Sequence, residues 1–494
     1  MTNFSRRRFL GTSALAATAF GFPALAGHAQ EKKRDANSLY GVMIMGCGSR
    51  GGGHVSSFAK DPRSVILYVC DPDTQHAEAY AERIAKLQDG KRPKIIRDMR
   101  EALSDGSLDI VSCAATNHWH ALCGFWAMQA KKHVYLEKPL CYNLHEGKTL
   151  VAAAKKFGVM CQTGTQNRSQ GHIKESLSFL KSGGIGEIKL VRGLCYKRRK
   201  SIGALGKYAV PETVDYNLWS GPAPIVDPPT RPNFHYDWHW QRLYGNGDSG
   251  NQGPHQMDIS RGALGVEEFP ISVMTYGGRL GYQAERNDPN YIDAGDTANT
   301  EVSIFNYADG KTLVFETRGL ETDPYLTAKI GVIAYGSEGT WVWGNRNESV
   351  ALDKSGKTIK KFTGPAEDHF SNLMDAIDAN DPGKLNACAR CGHLGAGLAH
   401  LGNVSYYLGE KNTVSVDEAL KLVEKVPGHD DNVDTLKRTV AHLEKNGTDL
   451  KKTPLAMGPS LKFDPKNEVF VGNAQATALE TREYRGEFVV PTIS

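Results

Sequence analysis

The stretch Tyr40-Gly41-Val42-Met43-Ile44-Met45-Gly46-Cys47-Gly48-Ser49-Arg50-Gly51 is an apolar run that breaks into a GxGxxG turn ahead of a helical segment. Each glycine has a separate task in such a turn. Gly46 permits the tight change of direction, Gly48 lets the main chain approach a pyrophosphate, and Gly51 allows helix to pack closely on strand. The amides that open the helix then face the phosphates. A second apolar run, 65–70, ends at Asp71, twenty residues past Gly51. A carboxylate there accepts hydrogen bonds from the ribose hydroxyls of a dinucleotide and opposes a 2′-phosphate, which favours NAD over NADP. Arg50 can offset that charge, so NADP stays open. Gly46, Cys47, Gly48, Ser49, Arg50 and Asp71 are the first candidate cofactor ligands.

Around this turn, short apolar runs alternate with helical stretches. Strands are expected at 40–45, 65–70, 108–114, 133–136 and 159–163, and helices at 74–87, 118–130 and 144–157. That alternation predicts a parallel sheet covered on both faces, a doubly wound Rossmann domain over 39–164. Past residue 165 the pattern changes. A helix at 173–181 and a strand at 187–196 lead into a Pro/Gly/aromatic-rich stretch, 201–251, with little periodicity. Strands at 271–276, 297–307, 311–317 and 329–334 follow without intervening helices, with Ala308-Asp309-Gly310 as a hairpin turn. Helices return at 366–379 and 391–408. These elements predict a second α/β domain, 165–425, built on an open, mostly antiparallel sheet. Residues 426–494 read as a polar C-terminal extension used for peripheral packing or subunit contact.

Ser5-Arg6-Arg7-Arg8-Phe9-Leu10, the mild Ala/Gly/Thr-rich stretch from Gly11 to Ala26 and the small residues Ala24-Leu25-Ala26 read as a twin-arginine signal peptide over 1–29. A polar linker, 30–38, follows. The expectation is export of the folded chain to the periplasm by the twin-arginine translocase, with any dinucleotide carried along tightly bound. No run reaches the apolar length of a membrane span. The net charge of +4 falls to +1 once the three signal arginines are removed, which argues against a nucleic-acid surface. Lys197-Arg198-Arg199-Lys200 reads as a solvated loop. Most of the nine cysteines lie inside apolar runs, as small buried hydrophobes. Cys388-Ala389-Arg390-Cys391 is a single CxxC without a partner pair, so no zinc site is expected.

Two further segments fall where strands of the first domain end, which is where open α/β sheets bind ligands. They are Ala115-Thr116-Asn117-His118-Trp119-His120 and Glu137-Lys138-Pro139. Thr116, Asn117, His120, Glu137 and Lys138 complete the cofactor-binding set, and the Lys138 ammonium can also hold a substrate hydroxyl. Pro139 ends its strand. A third constellation is Asn251-Gln252-Gly253-Pro254-His255-Gln256-Met257-Asp258. His255, with an ordinary pKa of about 6.5, is the natural proton acceptor, and Asp258 shares its helical face. Before it come Trp219, Phe234, Tyr236, Trp238 and Trp240, whose faces suit sugar rings and equally suit anchoring the loop on the core. His235 and His239 have i, i+4 spacing, but Pro232 argues against a helix there, and no metal is expected.

Together these motifs resemble the Gfo/Idh/MocA oxidoreductase family, the glucose–fructose oxidoreductase-like enzymes, over roughly residues 40–408. The resemblance implies a Rossmann domain followed by an α/β domain whose open sheet often forms a subunit interface, hence a homo-oligomer. It implies that Lys138 contacts both nicotinamide ribose and substrate, and that His255 is the acid/base in an Asp-x-Gly-x-His-x-x-Asp motif. Asn251 stands where that motif has its first Asp. An amide takes up no proton at neutral pH, so Asn251 is left to orient substrate, alongside Asp258 and Trp238. Lys138 and His255 are therefore the expected catalytic pair of an exported NAD(P)-dependent oxidoreductase acting on a sugar, polyol or sugar derivative. Two alternatives stay open. One is a redox-neutral glycoside hydrolase that oxidises, eliminates, adds water and reduces on one bound NAD. The other is a non-catalytic sugar-binding protein.

Overall fold

The computed structural model describes residues 38–345 and 347–493. The twin-arginine segment and all but the last residue of the expected linker lie outside the described residues.

The first part of the chain runs β1 (Tyr40–Met45), α1 (Gly51–Phe58), β2 (Ser64–Cys70), α2 (Thr74–Leu87), β3 (Lys94–Ile96), β4 (Leu108–Cys113), α3 (Asn117–Gln129), β5 (His133–Leu136), α4 (Leu144–Phe157) and β6 (Cys161–Thr163). The strands form one sheet in the order β3-β2-β1-β4-β5-β6, and all its pairs are parallel. Both faces are apolar, as a sheet covered twice requires: Val42 and Ile44 enter one cluster with Val55 and Phe58, while Met43 and Met45 enter another with Leu122 and Leu150. Strand order reverses between β1 and β4, which opens a crevice at their carboxyl ends. The three-residue β3 is too short to show in the hydrophobic pattern.

The second part runs α5 (Gly171–Lys181), β7 (Ile188–Cys195), α6 (Tyr216–Ser220), α7 (Gly247–Asn251), α8 (Gly253–Leu264), β8 (Ser272–Gly278), α9 (Tyr282–Arg286), β9 (Thr300–Asn306), β10 (Thr312–Arg318), β11 (Ile330–Gly336), β12 (Gly339–Asn345), β13 (Glu348–Asp353), β14 (Thr358–Phe362), α10 (His369–Asp378) and α11 (Ala389–Gly409). After these come β15 (Thr413–Val414), α12 (Val416–Val423), α13 (Asn432–Lys445), β16 (Leu455–Met457), β17 (Leu461–Asp464), β18 (Val469–Val471) and α14 (Ala474–Ala478). Twelve strands form the second sheet, in the order β14-β13-β12-β11-β7-β10-β9-β8-β16-β15, with β17 on β8 and β18 on β17. Among the described residues, only β7 and β10 of this sheet pair in parallel. Its inner face packs Val273, Phe305, Phe315 and Trp341 against Met257 of α8 and Leu398 of α11. The expected 201–251 stretch holds only the short α6 and α7 and one 3-10 turn.

The region beyond Val426 is more structured than its polarity suggests. Met274, Tyr276, Val302, Ile304 and Val314 on the outer sheet face share a cluster with Ala419 and Val423 of α12 and Leu436 and Leu443 of α13. The outer face of β8–β10, part of the surface to which the resemblance assigns subunit contact, is thus covered by the chain itself. Further on, Phe488 and Val490 join the Rossmann cluster beside Trp119 and Trp126, and Thr149 donates a hydrogen bond to the Pro491 carbonyl at 2.9 Å.

Candidate active site

The glycine turn follows from steric limits. Gly46 sits at φ +88°, and a Cβ there would lie 2.5 Å from the Ala115 nitrogen. At Gly51 a Cβ would lie 2.2 Å from the Gly46 carbonyl oxygen, so α1 can start against β1 only without side chains. Around Gly48 the space is open. No side chain caps α1, so no side chain competes with a ligand at its start. The Tyr80 hydroxyl donates to the Gly48 carbonyl and pins the turn from outside.

Asp71 is buried at the end of β2. Its carboxylate accepts from the Cys47 amide at 2.6 Å and the Asp73 amide at 2.8 Å. Burial holds its pKa above the ordinary value, and those two amides oppose the shift. Arg50 does not stand ready to neutralise Asp71. Its Nε donates to Glu137 Oε1 at 2.6 Å. Gln166 Nε2 donates to the same Glu137 oxygen at 2.9 Å, and His54 Nε2 lies 3.3 Å from it. Burial would raise the Glu137 pKa, yet His54, Arg50 and Lys138 hold it well below the usual carboxylate range. Glu137 is therefore a buried anion at the floor of the crevice.

Lys138 follows directly. Its Nζ donates to the main-chain oxygen of Asn251 at 2.6 Å and to Asn251 Oδ1 at 3.1 Å. These contacts join the Rossmann floor to the C-terminal end of α7. Burial pushes the Lys138 pKa down to about 8, against the pull of Glu137. His255 departs from the expected value near 6.5: burial, with the Lys138 charge adding to it, lowers its pKa to about 3. Its Nδ1 is buried without a hydrogen-bond partner.

Lys138 and the glycine turn open on a single cleft. Gly46, Gly48, Ser49, Arg50, Asp71, Thr116, Asn117, His120, Glu137, Lys138, Trp238 and Asn251 all line it. Asn117 Nδ2, on this wall, is buried without a partner, so a donor is left over for a ligand. Three expected residues stand apart from the lining. Cys47 contributes its amide to Asp71 and buries its thiol. His255 sits in the first turn of α8. Asp258 is buried between two arginines: Arg168 reaches both its oxygens, at 2.5 and 2.9 Å, and Arg261 lies at 3.3 Å. It therefore holds α8 in place and offers no oxygen to substrate. His120 reaches the cleft with its ring, but its nitrogens face the carbonyls of Pro139 at 2.7 Å and Ala115 at 3.0 Å. Its work is to hold the Lys138-Pro139 segment in position.

Several participants went unseen in the sequence. His54 and Gln166 fix Glu137 from positions 83 and 29 residues away, and Arg168 fixes Asp258 from 90. No local pattern marks such partners. Trp219, Tyr236 and Trp238 line the cleft, while Trp219, Phe234, Trp238 and Tyr244 pack in a buried cluster that anchors the loop; Trp238 also stacks on His239 with ring centres 3.7 Å apart. His235 and His239 do not pair. His235 Nε2 instead lies 3.0 Å from Asp73 Oδ2, and with His76 these residues bring ligand atoms within 4.8 Å of one another, a spacing a divalent ion can bridge. The basic run at 197–200 is ion-paired into the fold, Arg199 with buried Asp248 and Arg198 with Glu285.

The arrangement fits a nicotinamide dinucleotide. The glycine turn and uncapped α1 suit a pyrophosphate, Asp71 a ribose, and the spare Asn117 donor a polar group deeper in the crevice.

Comparison with known proteins agrees. Residues 40–165 match the family model described as "Oxidoreductase family, NAD-binding Rossmann fold". An uncharacterised oxidoreductase, YrbE, of Bacillus subtilis is 30% identical over 150 residues, 30% of this chain and 42% of that protein. A levoglucosan dehydrogenase of Pseudarthrobacter phenanthrenivorans is 25% identical over 301 residues, 56% of this chain and 67% of that one. A glycosyl hydrolase family 109 protein of Shewanella is 26% identical over 208 residues, 38% of this chain and 45% of that one. The match to YrbE and to the hydrolase thus spans less than half of each relative's length. A solved levoglucosan dehydrogenase in complex with NADH and levoglucosan superposes with a TM-score of 0.52 at 17% identity, over 74% of this chain and 96% of that one. The crevice formed by the glycine turn, Asp71 and Lys138 therefore lies within the segment, residues 40–165, that matches the model of an oxidoreductase family with an NAD-binding Rossmann fold.

Proposed function

We propose that the protein is an NAD(P)-dependent oxidoreductase acting on a sugar, polyol or sugar derivative. The observation that carries this reading is the meeting of Lys138 with Asn251 directly beside the dinucleotide crevice, under a wall of aromatic rings. The sugar class rests on those rings and on the levoglucosan dehydrogenase among the relatives. A bound nicotinamide supplies hydride exchange with a carbinol carbon. The chain's own residues supply the rest. Lys138, with a pKa near 8, holds the substrate hydroxyl and exchanges its proton near neutral pH. Asn251 orients that hydroxyl through its amide. His255, neutral at its lowered pKa, adds no competing charge behind Lys138. The Glu137 charge favours the protonated form of Lys138. Asp71, with Arg50 engaged by Glu137, favours NAD over NADP.

The N-terminal segment supports export by the twin-arginine route, and an exported enzyme needs a cofactor that stays bound and is recycled on the protein. Mass spectrometry of the ligand released from purified protein tests this. Stoichiometric NAD(H) or NADP(H) is the expected result, and a well-folded sample without nucleotide overturns the tightly bound cofactor. A redox-neutral glycoside hydrolase is the second reading, favoured by the glycosyl hydrolase relative. Aglycone release from a glycoside without added nucleotide, abolished in Lys138→Ala, would select it over net oxidation.

A further inference from the structure

Seven of the nine cysteines are buried, and the two that are not are Cys388 and Cys391. Their sulfurs lie 3.0 Å apart. Cys388 is the N-cap of α11, and its Sγ accepts the Cys391 amide hydrogen at 3.4 Å. The arrangement suits a thiolate, because the cap position faces the unsatisfied amides of the first turn and the positive end of the helix. The cap also sits on firm ground. The Thr163 amide donates to the Ala387 carbonyl at 2.7 Å, and Cys388 forms an isolated bridge with Gln162. The Arg168 charge acts on both sulfurs.

We propose that Cys388 and Cys391 form a reversible dithiol–disulfide site, with Cys388 as the attacking thiolate and Cys391 as the resolving thiol. The co-reactant is a disulfide, either a small molecule or a protein. Cys388 attacks one sulfur of that disulfide, its S–S bond breaks, and one thiolate leaves. Cys391 then gives its proton to that thiolate and attacks Cys388 Sγ, releasing the second sulfur as a thiolate, which takes up from solvent the proton that Cys388 lost on ionising. Two electrons pass from the protein dithiol to the disulfide, and two thiols result. The direction of the Cys388 shift fits the assignment: the contact with Cys391 lowers its pKa to about 6, while the Cys391 pKa is raised. The site lies beside the Arg168–Asp258 pair that holds α8. Oxidation removes the thiolate charge from next to Arg168, which couples the site to the helix bearing His255.

The test uses the full chain equilibrated in graded ratios of reduced to oxidised glutathione, quenched by alkylation and read by peptide mass spectrometry. The expected result is a single transition in which the Cys388 and Cys391 peptide loses both alkyl groups while the seven buried cysteines keep their status. In Cys391→Ser a glutathione adduct should accumulate at position 388, and in Cys388→Ser none should form at 391. Full alkylation of both residues across the whole series overturns the site. Equal adducts in the two variants, or none in either, overturn the division of roles.

Discussion

Replacing Asn251 with Asp isolates what the amide does for Lys138. Asn251 Oδ1 lies 3.1 Å from Lys138 Nζ. Two unit charges at that separation attract by about 5 kcal/mol at an effective dielectric constant of ~20. At ~1.4 kcal/mol per unit this corresponds to about 4 pH units. Burying the new carboxylate consumes part of that gain, leaving a rise of about one to three units. Lys138 in Asn251→Asp should therefore titrate well above the value near 8 in the parent. The assay needs no substrate: the pH dependence of acylation at Lys138, followed by peptide mass spectrometry against an exposed lysine as internal standard. Stability carries the same signature. The folded pKa lies below the ordinary 10.5, so the unfolded chain binds more protons between the two values and the parent gains stability as pH rises from about 8 to 10.5. That rise should flatten in the variant. A midpoint that stays put or falls would refute the idea that the neutral amide tunes the lysine. Asn251→Ala is the control, because it keeps the main-chain contact at 2.6 Å and should shift the midpoint far less.

Two other substitutions check the frame around it. Gly46→Ala forces a side chain into a left-handed backbone position against Ala114 and Ala115. It should cost about 2–4 kcal/mol in urea denaturation, summing conformational strain and overpacking, and should weaken NAD binding in calorimetry. Glu137→Gln removes the charge that Arg50, His54 and Gln166 share. Because Arg50 is half-exposed and can rehydrate, the loss should be about 2–3 kcal/mol at pH 7. The Glu137 pKa is depressed in the fold, so its contribution is present above the ordinary 4.5 and lost as pH falls through the folded value. The acid side of the stability curve should be shallower in Glu137→Gln, and an unchanged acid limb would count against the buried anion.

The Rossmann half was legible because its strands are continuous apolar runs and its turns obey strict steric rules. Helices α2 and α4 fall on their expected bounds, and β1 and β5 do as well. Legibility fades at the rim of the second sheet. β14 is Thr358-Ile359-Lys360-Lys361-Phe362, exposed at all but its last residue, so nothing in its composition announces a strand. The helices α12 and α13 bury only one stripe each, and their charged faces dominate the sequence. At the site, residue types were readable but their states were not. The lowered pKa of His255 comes from burial among groups far away in sequence, and Asp258 looks like a free carboxylate until Arg168 and Arg261 are seen on it. Burial is a property of the assembled fold, and no window of sequence contains it.

Helices α12 and α13 reach the outer face of the large sheet on the same chain that builds it. A tethered cover feels a fixed local concentration, on the order of millimolar for a short linker, and cannot be diluted away. The burial of Tyr276, Val302 and Ile304 is then a property of one molecule. Cover lent by a neighbouring subunit would thin out as the protein became scarce, whereas the β8–β10 face stays shielded in a solution holding a single copy.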